Sequence, residues 1–270
     1  MMTLTDDNYY TPEADREYMS VSLFKSFVGT YGYMGCEHKT MAKLRGEYSE
    51  EPSKAMMVGS YVDRYFEGTL DKFKEEHPEV FKKDGGLKAE YVQAEEIIKR
   101  IESSDVMMNA LSGDKQTIMT GEIGGIPWKI KMDSYIKDTA IVDLKVIKSF
   151  SESTYVRGLG YLNYAHYWGY DIQGAVYQEI VRQNTGKVLP FYLACATKED
   201  GIDIDLFQVD PPYLKEALGN VERALPDIIP VWRGEQEPQR CNNCRYCRMT
   251  KALTAPRWIS TLDEQYAGVN

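Results

Sequence analysis

Residues 129–146 read KIKMDSYIKDTAIVDLKV. Two short apolar runs flank a turn at Lys137-Asp138, the pattern of paired strands. Asp143 and Lys145 stand two apart on the second run, so on a strand both point to one face. Leu144 then points the other way, into a core, and leaves its backbone carbonyl available as a ligand. Asp133, on the first run, can reach the same point across the turn. Two carboxylates and a lysine at the end of a strand pair are what metal-dependent phosphodiester hydrolysis requires. Carboxylate oxygens bind hard divalent cations. The cation polarises the phosphate and acidifies a bound water. A neighbouring lysine holds that water or stabilises charge developing in the transition state.

Working outward, QTIMTGEI, a turn at Gly124-Gly125, IPWKIKMDSYI and AIVDLKVI predict a three-stranded meander. SFSESTYVRGLG reads as a polar connection and YWGYDIQGAVYQEIVRQ as an amphipathic helix. On that helix Gln173 and Tyr177 are four apart and share a face, where they can hydrogen-bond a phosphate, a base or the lysine. VLPFYLACATK and IDLFQVD read as two more strands, and PPYLKEALGNVERALPDIIPVW as a helix opened by proline. Upstream, SVSLFKSFVG, capped by Ser20 or Ser22, and CEHKTMAKLRGE read as helices. A longer helix, SKAMMVGSYVDRYFEGTL, follows Pro52. Its Met56, Gly59, Asp63 and Phe66 fall on one face, and an acid on such a stripe is either paired or bound to metal. The charged stretch 70–114 reads as a helical lid or insert, and 1–19 as a loosely packed polar arm.

This order of elements predicts an α/β fold, a central mixed β-sheet flanked by helices with a helical N-terminal lobe. After the arm, residues 20–270 make one domain: a helical lobe at 20–114, a core at 115–232, a cysteine segment at 233–251 and a tail at 252–270. No run approaches the roughly 18 apolar residues that span a membrane. The acidic N-terminus lacks the basic start and apolar stretch of a secretory signal, which predicts a cytoplasmic protein with no membrane partner.

A net charge of −9 argues against coating nucleic acid by bulk charge. Local charge decides phosphate contact, and here it is uneven. Lys129, Lys131, Lys137, Lys145 and Lys148 crowd the strands of the acidic motif, and Arg240, Arg245, Arg248, Lys251 and Arg257 crowd the C-terminal region. Lys131, Arg245, Arg248 and Lys251 are the candidate DNA contacts.

Of five cysteines, Cys241, Cys244 and Cys247 form C-x₂-C-x₂-C. An odd count in a cytosolic chain argues against a disulfide framework. Three thiolates at this spacing can wrap one metal centre, whose fourth ligand must come from elsewhere; Cys36 is the candidate. Cys195, within a strand, reads as a small core residue. His38 and His77 read as surface residues and His166 precedes the Gln-x-x-x-Tyr helix; none is a candidate ligand.

Taken in order, SVSLFKSF, CEHKTMAKLRGE, VGSYVDRYFEGT, KIKMDSYI, IVDLKV and DIQGAVYQE resemble the PD-(D/E)xK nuclease superfamily. Within it the chain is most similar to RecB-like exonucleases with a Gln-x-x-x-Tyr motif, above all the phage and prophage exodeoxyribonuclease VIII-like (RecE-type) group. The likeness spans about residues 18 to 251. It implies a restriction-endonuclease-like core, Mg²⁺ or Mn²⁺ at Asp133 and Asp143, Lys145 as catalytic lysine, and Gln173 and Tyr177 orienting the DNA strand. It further implies resection of duplex ends that feeds strand-annealing recombination, with a single-strand annealing protein as partner and a ring-shaped homo-oligomer. Many relatives carry a metal-binding histidine where this chain has Asp63; an aspartate ligand there favours harder ions such as Mg²⁺. Glu122 is a weaker candidate ligand. Some RecB-like nucleases, including those of CRISPR adaptation, pair one early cysteine with three late ones around a [4Fe–4S] cluster. The layout of Cys36, Cys241, Cys244 and Cys247 is similar, and such a cluster would staple the chain ends together. Zn²⁺ at the same residues, or no metal, stays open. So do single-strand exonuclease or nickase activity and a catalytically inactive DNA-binding or partner-docking module.

Overall fold

The computed structural model describes residues 1–256 and 258–260; Arg257 and the tail beyond 260 lie outside the described residues. The chain opens helically because each of its first four helices carries its own start signal. Thr11 caps α1 (Pro12–Glu17), Ser20 caps α2 (Val21–Val28), and a small hairpin, β1 (Gly29–Thr30) and β2 (Tyr33–Met34), follows. Cys36 caps α3 (Glu37–Leu44), and Ser53 caps α4 (Lys54–Glu67), which ends on Gly68 in the left-handed conformation. Next come α5 (Leu70–Glu76), α6 (Ala89–Glu102) and α7 (Asp105–Ala110). The strands then begin with β3 (Thr117–Ile123), β4 (Ile126–Met132), β5 (Ser134–Ile136) and β6 (Ala140–Ile147). A second hairpin, β7 (Ser153–Val156) and β8 (Gly160–Asn163), leads into α8 (Tyr164–Tyr167) and α9 (Tyr170–Thr185). The chain closes with β9 (Phe191–Thr197), β10 (Ile204–Gln208), α10 (Pro211–Trp232) and α11 (Arg245–Met249).

The central sheet runs β10-β9-β6-β5 and is mixed: β6 and β9 are parallel, while β9–β10 and β5–β6 are antiparallel. Side chains alternate as a strand covered on both faces demands. Ile141, Phe191, Leu193 and Cys195 pack with α2, α9 and α10, and Val142, Leu144, Ala194 and Ala196 pack with α4, α6 and α7. The small Ala194 and Ala196 let the second helical layer settle close. Val176 and Ile180 of α9 are fully buried, and each contributes about 1.5–3 kcal/mol of apolar burial.

The sheet is thus the α/β core the pattern predicts, with four differences. The expected three-stranded meander is split: β4 pairs with β3 in a separate hairpin, and bridges Met19 on its other side, while β5 pairs with β6. The changeover falls on Asp133. The stretch 70–114 is no lid, since Tyr91, Ala94, Ile97, Ile98 and Ile101 of α6 are buried in the layer against the sheet. The polar connection after β6 is the β7–β8 hairpin. The arm 1–19 is packed down, with Tyr9, Ala14, Tyr18 and Met19 buried. Lys129, itself 1% exposed, pairs with Asp15 at 2.7 Å and donates to the Tyr9 carbonyl. Among the described residues no helix is long and apolar enough to cross a membrane.

Candidate active site

β6 presents Asp143 and Lys145 to one face, towards α9. Asp143 is 2% exposed, and its Oδ1 accepts from Gln173 Nε2 at 2.6 Å. α9 comes this near because the next residue is Gly174: a Cβ there would stand 2.5 Å from the Phe191 ring and 2.8 Å from Leu214. Lys145 forms an ion pair with Asp143 Oδ2 and donates to the Leu144 carbonyl at 3.1 Å. Asp133 approaches from the β4–β5 changeover; its Oδ2 accepts the Leu144 backbone N–H at 3.0 Å and its Oδ1 faces Gln116 Nε2 at 3.4 Å. Asp63 of α4 lines one small cavity with Glu67, Lys115, Gln116, Asp133 and Leu144.

The electrostatics are those of crowded acids. Burial pushes the Asp143 carboxyl up to about 7; Lys145 pulls it down and Asp133 adds to the rise. Burial raises Asp63 well above the usual carboxylate range, and Asp133 raises it further. Burial works against the Lys145 ammonium, but Asp143 and Asp133 outweigh it and hold the lysine protonated. Asp143 Oδ2 is buried with no well-directed hydrogen bond among the described residues, only the Lys145 ion pair. Three carboxylates around one lysine leave excess negative charge and oxygen donors alone, a set that fits a hard divalent cation such as Mg²⁺ or Mn²⁺. Asp63, Asp133, Asp143 and the Leu144 carbonyl are the groups that would hold it.

Other expected residues fall elsewhere. Glu122 pairs with Pro127 at the far end of the β3–β4 hairpin, six residues before Asp133, about 20 Å along the strand; it is removed from the site. Lys131, expected as a DNA contact, is buried: it pairs with Asp6 at 3.1 Å beneath the rings of Tyr9 and Tyr10. Tyr177 is buried too, and its hydroxyl donates to the Lys131 carbonyl at 2.9 Å, bracing β4 instead of facing solvent. Arg245, Arg248 and Lys251 are exposed on and just past α11. His38 is half-buried against Arg240 and the Tyr246 ring, not on the open surface.

Two groups escaped sequence reasoning. Glu67 lies one turn beyond Asp63 and shares its cavity, a signal legible as i, i+4 spacing. Lys25 of α2 donates to the Trp168 carbonyl and lies 5.7 Å from the centre of the Tyr170 ring, which Lys145 approaches at 5.4 Å. Burial, helped by the Lys145 charge, brings Lys25 down to about 8. Tyr9, Tyr10, Lys25, Lys131, Gln173 and Tyr177 line a cleft of about 160 Å³ beside the acids.

At the opposite ends of the chain, Cys36 meets Cys241, Cys244 and Cys247, with all four sulfurs within 4.8 Å of one another. The set can bind a metal. Cys195 is buried in β9, where its sulfur meets the Tyr164 hydroxyl, away from this group.

A family model described as a PDDEXK-like domain of unknown function (DUF3799) matches residues 20–250. Among solved structures, a presumed exonuclease from Eubacterium rectale is 55% identical with a TM-score of 0.95, covering 97% of this chain and 98% of that one. SSO0001 aligns over 82% of this chain and 96% of its own at 13% identity and a TM-score of 0.32, too remote to carry an argument. No curated protein matches significantly.

Proposed function

Because this chain belongs to the PDDEXK-like family DUF3799, we propose that it is a Mg²⁺- or Mn²⁺-dependent exodeoxyribonuclease acting on the ends of duplex DNA. Its likeness to the Eubacterium rectale protein supports the exonuclease reading. The observation that carries it is the surrounding of Asp143: a buried acid between Lys145, Gln173 and a second acid, Asp133. Buried charge is expensive and persists where it is used.

Asp63, Asp133, Asp143 and the Leu144 carbonyl would hold the cation, which would supply polarisation of the scissile phosphate and a more acidic water. The protein's groups do the rest. Gln173 fixes Asp143 Oδ1, which aims Oδ2 at the site. Lys145, kept protonated by two carboxylates, is a fixed donor towards the negative charge that builds on the phosphate, not a base. Tyr177 positions Asp133 through the strand it braces. Lys25, in the adjoining cleft, meets the phosphate backbone, and the exposed Arg245, Arg248 and Lys251 extend the contact. On this reading one nuclease domain runs from residue 20 onward with the arm folded onto it. Its task is resection of duplex ends before strand annealing, alongside a single-strand annealing protein and as a homo-oligomer. The four cysteines hold a metal that fastens the chain ends together.

The test is digestion of end-labelled linear duplex, circular duplex and single strands with Mg²⁺, Mn²⁺ or EDTA. Metal-dependent loss of linear duplex alone, abolished by Asp143→Ala, is the expected result. Preference for single strands or nicking moves the reading to those activities. Binding without turnover under every metal makes the protein a docking module.

A further inference from the structure

We propose that the four-cysteine centre holds one tetrahedral zinc ion, not an iron–sulfur cluster; the proposal rests on reading that centre as a metal site. The sulfurs decide between the two. Cys36 and Cys247 lie 3.5 Å apart, Cys36 and Cys244 3.8 Å, Cys241 and Cys247 3.9 Å, and no pair exceeds 4.8 Å. A zinc ion about 2.3 Å from each thiolate places the sulfurs ~3.8 Å apart, the edge of a tetrahedron being roughly 1.6 times its centre-to-corner length. These spacings match that edge.

A four-iron cluster asks for something else. Each thiolate sits on its own iron, with sulfides bridging the irons between them. The thiolates radiate outward, so they stand further apart than the irons themselves. Sulfurs at 3.5–3.9 Å are in van der Waals contact and leave no room for four irons and four sulfides. Admitting the cluster would push apart Cys36 and Cys247, both buried, and with them the contact between α3 and α11.

The surroundings also suit a thiolate cage. Cys36 Sγ accepts the Lys39 N–H at 3.4 Å; Cys241 Sγ accepts the Cys244 N–H and Cys244 Sγ the Cys247 N–H, each at 3.3 Å. Three backbone donors thus point at the sulfurs. Four thiolates around a dication carry a net charge of −2, and Arg240 stands beside them, donating to the Cys247 carbonyl at 2.7 Å. The two ends are already joined by hydrogen bonds, since Gln239 N–H donates to the Glu37 carboxylate and His38 N–H to the Gln239 carbonyl. The ion locks a preformed junction. Zinc itself has no redox chemistry, so exposure to air leaves the ion's oxidation state unchanged.

Metal analysis of the full-length protein, purified with and without air, tests this. The expected result is one zinc per chain, no iron or acid-labile sulfide, and a colourless protein that takes up cobalt with the visible bands of a tetrahedral thiolate site. Cys247→Ser loses the zinc, whereas Asp143→Ala keeps it, which separates this centre from the acidic one. If the cysteine variant fails to fold, chelator titration of the wild type must release one zinc and lower its melting temperature together. Four irons and four sulfides per chain, with a brown chromophore, would overturn zinc and leave the metal centre standing. A metal-free chain whose melting ignores both zinc and chelator would overturn both.

Discussion

The Asp133 carboxylate accepts the Leu144 backbone N–H at 3.0 Å. β5 pairs with β6 only as far as Ser134 opposite Val142, after which the chain leaves for the β3–β4 hairpin. Asp133 therefore stands in for the main-chain acceptor that a continuing strand would have supplied. One side chain both closes the sheet edge and places an acid beside Asp143. Asn at 133 keeps an acceptor and removes a charge from the acidic cluster, so Asp133→Asn should lose cleavage yet melt at or above the wild-type temperature without metal. Asp133→Ala leaves a buried N–H unpaired, costing about 1–3 kcal/mol. Matched melting curves check the pair; equal melting of Asn and Ala would show that the hydrogen bond contributes nothing.

Asp143 predicts how stability follows pH. Its carboxyl is raised from 3.8 to about 7, chiefly by burial. A raised group stabilises the fold fully below its unfolded value and loses that contribution as pH rises through its folded value. Without metal, the melting temperature should fall between about pH 4 and pH 7 on this account. Mg²⁺ should restore it most at the alkaline end, because the cation binds the deprotonated acid. Asp143→Asn should flatten both the slope and the Mg²⁺ effect. Melting across pH, with and without Mg²⁺, reads this directly; an unchanged slope in Asp143→Asn would assign it to other groups.

Tyr177 separates bracing from chemistry. Phe at 177 removes the donor to the Lys131 carbonyl, so Tyr177→Phe should cost about 0.5–1.5 kcal/mol of stability. Because the hydroxyl works through β4, cleavage should fall far less than in Asp143→Ala. Activity lost as completely as in Asp143→Ala, at unchanged melting temperature, would instead put the phenol on the substrate.

Much of this site was legible because it rests on periodicity. A two-residue period puts Asp143 and Lys145 on one face, and a four-residue step puts Gln173 and Tyr177 on another. The split at Asp133 was not legible: alternation looks the same whether a strand's partner is β3 or β6, so only the pairing reveals where one sheet ends. Glu122 was misplaced for the same reason, since rank along a hairpin does not show which end faces the site. The arm's composition is polar, and that hid the few buried side chains that anchor it, Tyr9, Ala14, Tyr18 and Met19. Lys25 was hidden because α2 and α8 meet only in three dimensions, where Lys25 reaches the Trp168 carbonyl.

Lys25 supplies the sharpest pH test of substrate binding. It shares the Tyr170 ring with Lys145, and burial lowers it to about 8. Its charge is present below that value and lost above it. If it meets DNA phosphate, affinity should weaken as pH rises through about 8. Calcium keeps the acids neutralised by an oxygen-seeking cation during such a titration. In Lys25→Arg the charge persists at every pH, so the alkaline weakening should disappear. Lys25→Gln should bind weakly throughout, with no step near 8. Fluorescence anisotropy with a labelled duplex, from pH 6.5 to 9.5 at fixed ionic strength, distinguishes the three; about tenfold weakening is expected from losing one charged contact worth ~1.4 kcal/mol. A wild type whose affinity is flat across pH 8 would take Lys25 off the phosphate path and leave it as a structural partner of Trp168.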